Sequence, residues 1–136
     1  MANEDFVAAN PEAAMKFAQA IAKATLFTIT NPEAAVRIHW QKYPQSKPAG
    51  IPEDQALKEA VHVLMARAEK YKIANRQIPK WDAFTKEEWT ATQDFLVNSG
   101  LITEKRDVSM YYTDKFLDQI NAFDQPAMIE RAKAYK

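Results

Sequence analysis

The chain has 136 residues, with 18 basic and 18 acidic side chains and no cysteine. Zero net charge and the lack of any run of four basic residues argue against nucleic acid as a partner, because phosphate contacts supply most of that affinity. The absence of cysteine excludes disulfides, thiolate metal sites and thiol catalysis together. Apolar residues at 47% and charged residues at 26% predict a soluble domain with enough apolar surface for a core. No apolar run reaches the roughly 18 residues of a membrane span. Acidic Glu4 and Asp5 stand where a signal peptide would carry positive charge.

Met1 to Val7 reads as at most an extended lead-in. The first helix opens at Asn10-Pro11-Glu12. Asn suits a cap, Pro suits the first position, and Glu suits the positive end of the dipole. Ala14, Phe17, Ala18, Ile21, Ala22 and Thr25 then form one helical face, which runs to about Thr28. The same opening recurs at Asn31-Pro32-Glu33 and is read as a capping device used twice. This second helix carries Val36, His39, Trp40 and Tyr43, and Pro44 ends it.

Pro44 to Gly50 is a loop. Pro52-Glu53-Asp54 opens a third helix with an apolar stripe of Leu57, Ala60, Val61, Leu64, Ala68 and Tyr71. Ala74 to Phe84 is irregular. Thr85-Lys86-Glu87-Glu88 spells a capping box before a helix anchored by Trp89, Phe95 and Leu96. Gly100 supplies the left-handed turn that ends it, with Leu101 as the apolar contact beyond. Short helices are expected from Thr113-Asp114 through Ile120 and from Asp124-Gln125-Pro126 through Tyr135. The fold class is therefore all-α, with about six helices and no strand.

Candidate chemistry is sparse. His39 and His62 lack the spacing that puts two ligands on one helix face; Glu59 allows one surface pair with His62. Glu87 and Glu88 lie beside Trp89, where paired carboxylates could do acid/base work, but capping explains Glu88 and a helix N-terminus explains Glu87. Trp40, Tyr43, Trp81, Phe84, Trp89, Tyr111 and Tyr112 could form platforms for planar ligands or sugars. They are read as packing residues, with Trp40 and Trp81 fitting a helical stripe least well. Ser46, Ser99 and Ser109 have no nucleophile-elbow context, and there is no Gly-rich phosphate loop. No catalytic, metal or cofactor-binding residue is assigned, and the chain is read as not an enzyme.

Two stretches go beyond generic helices. One runs from Phe6-Val7-Ala8-Ala9-Asn10-Pro11-Glu12 through Ala20 and Lys23-Ala24 to Asn31-Pro32-Glu33-Ala34-Ala35. The other comprises Glu88-Trp89, Gln93-Asp94-Phe95-Leu96, Gly100-Leu101-Ile102, Asp107-Val108, Tyr112-Thr113-Asp114-Lys115-Phe116 and Ile120-Asn121. Together they resemble the C-terminal part of solute-binding proteins of bacterial ABC importers. The nearest branch is the one for nitrate, sulfonate, taurine and thiamine-pyrimidine precursors.

The resemblance covers most of this chain and about a third of such a protein. It implies a two-lobed α/β parent that closes on a small-molecule solute and delivers it to a membrane permease from the periplasm. The matching residues are caps and packing residues, so no ligand-binding residue is carried over. Both sheets and most of the cleft of such a parent lie outside this sequence. Residues 1–136 are thus expected to be one helical segment of a larger binding protein. Its partners would be the missing N-terminal lobes, and as an isolated piece it is expected to form a homo-oligomer. The rival expectation is a self-contained all-helical protein-interaction module with no small-molecule ligand.

Overall fold

The structure is a computed structural model that describes residues 2–136, apart from the side chain of residue 75. Among the described residues there are seven α-helices and no strand. The additional helix is α1 (Glu4–Ala9), where an extended lead-in was expected; Met1 itself lies outside the described residues. Asn3 caps it by accepting from the Phe6 N–H at 3.1 Å. Glu4 and Asp5 occupy its first turn, where acidic groups favour the positive end of the dipole.

Helix α2 (Pro11–Thr30) follows directly. Asn10 closes α1 by donating its backbone N–H to the Phe6 carbonyl, and its own carbonyl accepts from the Ala14 N–H to begin α2. Helix α3 (Pro32–Lys42) is capped by Asn31, whose Oδ1 accepts from the Ala34 N–H at 3.1 Å. After a 3-10 turn at Pro44–Ser46, α4 (Glu53–Ala68) starts behind Pro52 and tightens into a 3-10 turn at Glu69–Tyr71. Helix α5 (Lys86–Asn98) carries the full capping box between Thr85 and Glu88.

Gly100 (φ 72°) ends α5 in a Schellman motif: its N–H donates to the Val97 carbonyl, and the Leu101 N–H donates to that of Leu96. Helix α6 (Leu117–Asn121) begins later than the Thr113-Asp114 signal suggests. There the Thr113 hydroxyl accepts from the Lys115 N–H and the Asp114 carbonyl accepts from the Leu117 N–H, so these residues form a turn first. Helix α7 (Gln125–Ala134) is capped by Asp124.

The chain divides into two compact units. One combines Met1–Lys16 with Ile73–Ala122; the other combines Phe17–Lys72 with Phe123–Lys136. In the second, α3 packs on α4 around buried Val36, Trp40, Ala56 and Leu57, flanked by Ile51, Ala60, Val61 and Leu64. Asn31 Nδ2 donates to the carbonyls of Ala132 and Tyr135, fastening the start of α3 to the end of α7. Phe27 meets Tyr135 edge to face at 5.6 Å. In the first unit Trp81, Ala83, Val108 and Ile120 are buried along with one polar side chain, Gln93.

These cores are thin. Six of the twelve buried apolar residues are alanines, so helices meet by close approach and bury few large side chains. Phe17 (70% exposed), Val63 (69%), Leu101 (68%) and Phe95 (66%) stand in solvent. The expected face of α2 is therefore split: Ala22 is buried, while Phe17 and Ile21 at its edge are exposed. Accessible surface totals 10134 Å² for 15.5 kDa. Even two fully separate compact bodies of half that mass would expose only about 8,700 Å² in all. The excess therefore belongs to the units themselves.

Candidate functional site

One apolar concavity grows out of the α3–α4 pairing. Val36 and Trp40 on α3 and Ala56, Ala60, Val63 and Leu64 on α4 line a cleft of about 680 Å³. His39, Glu59 and Arg67 add polar groups to its lining. Lys47 lies over the Trp40 ring at 5.6 Å and binds Glu53 at 2.6 Å, which holds the Pro44–Ser46 side of the loop against α4. A second groove of about 900 Å³ is lined by Gln55, Lys58, Glu59, Val61, His62, Val63 and Met65. Glu59 and Val63 belong to both, so this face of α4 stands between two grooves. Such a surface can receive apolar side chains.

In the other unit, aromatic rings gather on Trp89. Phe84 lies 5.8 Å from it, and Tyr111 and Tyr112 stack at 5.9 and 6.1 Å. The Arg76 guanidinium sits over Phe84 and pairs with Glu88 at 3.4 Å. The Thr85 backbone N–H, helped by Arg76, holds the Glu88 carboxyl below the ordinary glutamate range. Desolvation raises the Asp82 carboxyl against the pull of Arg76, although the residue as a whole is exposed. The indole N–H groups of Trp81 and Trp89 are buried without a hydrogen-bond partner.

No family model, no curated protein and no solved structure matches this chain.

The residues singled out from sequence are dispersed. His39 and His62 are both exposed; His39 packs against the Tyr43 ring at 5.1 Å. Glu59 accepts from Gln55, not from His62. Glu88 serves the capping box, and Glu87 sits in the first turn of α5. Trp40 and Trp81, the poorest fits to a helical stripe, are both buried and act as packing residues. The Ser46 and Ser99 hydroxyls donate to nearby backbone carbonyls, and the Ser109 N–H donates to Asp107. Among the described residues no three His, Cys, Asp or Glu side chains come together to hold a metal ion.

Sequence reading missed a set of carboxamide clamps. Gln93, 4% exposed, accepts from the Arg106 N–H at 2.7 Å and donates to its carbonyl at 2.9 Å. Asn121 does the same for Trp81. The available signal was an amide among apolar neighbours on a helix, where a polar side chain persists only if it finds partners.

Proposed function

We propose that this chain is the helical C-terminal segment of a solute-binding protein of a bacterial ABC importer. The solute class is that of small anions and heterocycles: nitrate, sulfonates, taurine or a pyrimidine precursor. The segment packs on a lobe of the periplasmic receptor and braces its hinge, while solute contacts come from the rest of that protein. The observation that carries this reading is the exposed apolar face of α2, where Phe17 and Ile21 stand beside Ala20 and Ala24 with no charged residue among them. A contiguous exposed apolar face marks a surface that another protein surface covers. The residues behind the family resemblance also support it: Asn31, Glu88, Gln93, Gly100 and Asn121 are caps and clamps that would hold such a segment in shape. The reading assigns no catalytic role, metal or cofactor.

The test is co-expression with the N-terminal lobes of a receptor of this branch. A one-to-one complex that no longer binds an apolar dye, and that Phe17→Glu disrupts, is the expected result. Failure of the two pieces to associate overturns the reading. A self-contained helical interaction module is the second reading, favoured by the α3–α4 cleft, whose core of Val36, Trp40, Ala56 and Leu57 closes without α2. It requires a monomer whose melting temperature is independent of concentration.

A further inference from the structure

We propose that α4 is a self-pairing helix: it binds antiparallel to α4 of a second copy of this chain, with Val63 at the two-fold axis. This goes beyond the receptor reading, which concerns the face of α2.

Val63 is the large apolar residue on the exposed side of α4, and it stands between the two grooves. Glu59 precedes it by four residues and Arg67 follows it by four. At 1.5 Å per residue each lies about 6 Å from Val63 along the helix. Turning one helix end for end about Val63 therefore brings Glu59 level with Arg67 of the second copy, and Arg67 level with its Glu59. The two opposite charges meet twice. Ala66, exposed on this side of α4, adds no bulk beside Val63. Lys58 and Lys70 come level with alanines of the second copy, so no like charges face each other. A parallel pairing in register would set Glu59 against Glu59 and Arg67 against Arg67. Both arrangements obey a two-fold axis, and charge selects the antiparallel one. One helix of 16 residues offers a small interface, so the dimer exchanges with monomer.

The native chain has no cysteine, which permits a direct test. Val63→Cys places two thiols at the axis, where Cβ atoms about 4 Å apart form a disulfide. Met110→Cys, as exposed as Val63 at 69% and outside both α2 and α4, is the control for random collision. Under mild oxidation V63C should give covalent dimer at least tenfold faster than M110C. Adding Arg67→Glu to V63C should slow the reaction severalfold, and adding Glu59→Arg as well should restore it. Cross-linking of V63C no faster than of M110C, or a rate indifferent to the charge changes, overturns the proposal. The latter pattern would assign the α4 face to an unlike protein surface.

Discussion

Asn121 and Trp81 pair as two strands of a sheet would. The Asn121 Oδ1 accepts from the Trp81 N–H at 2.8 Å, and its Nδ2 donates to the Trp81 carbonyl at 3.0 Å. A third bond from Nδ2 to the Leu117 carbonyl fixes the amide on α6. The irregular segment around Trp81 has no helix of its own, so this side chain supplies the backbone pairing it lacks. Asn121→Asp keeps the acceptor and replaces the donor with a carboxylate facing two carbonyls. We expect a loss of about 1–3 kcal/mol in urea unfolding. A shift of Trp fluorescence to longer wavelength should accompany it as Trp81 gains water.

Gln93 performs the parallel task for Arg106. Gln93→Leu fills the buried position with an apolar group and strands the Arg106 N–H and carbonyl. The expected loss is again about 1–3 kcal/mol. Fast amide exchange at Arg106, measured by hydrogen exchange, would distinguish the lost clamp from a general loss of packing.

Gly100 tests backbone conformation alone. Its φ of 72° is disfavoured for residues with a Cβ, yet a Cβ built there meets nothing within 4 Å. Gly100→Ala should therefore lower stability by about 1–2 kcal/mol through the left-handed penalty only. Gly100→Asn, which tolerates that region, should cost less. Equal effects of the two variants in thermal unfolding would contradict this assignment.

Glu88 sets a pH dependence. Its carboxyl is held below the ordinary glutamate value by the Thr85 N–H and by Arg76. Stability from the charged form is thus complete above the unfolded value, about 4.3, and is lost as pH falls through the lower folded value. Glu88→Gln can still close the capping box but carries no charge. The wild type should exceed E88Q by under about 1 kcal/mol at neutral pH, since the pair with Arg76 is partly exposed and screened by solvent. The difference in melting temperature should shrink as the solution is acidified below about pH 4.

Helix identity was readable wherever a local rule decides it. Asn31, Thr85, Asp124 and Gly100 bond within their own turn, and all four do in the structure what their positions suggest. Asn3 obeys the same rule, but a six-residue helix gives too short a period to recognise. Phe17 and Phe95 stand exposed on apolar faces, and periodicity finds a face without saying whether anything covers it. The clamps of Gln93 and Asn121 reach 13 and 40 residues along the chain, and no local pattern encodes a partner at that distance. The α4 surface was likewise hidden, since Val63 falls outside the stripe that packs on α3.

The three tryptophans are apportioned between the units: Trp40 in one, Trp81 and Trp89 in the other. Each unit therefore carries its own spectroscopic label. In protein grown on fluorotryptophan, the three fluorine resonances would report separately during a melt. Simultaneous loss would reveal one cooperative transition, and staggered loss would identify which half of the polypeptide yields first.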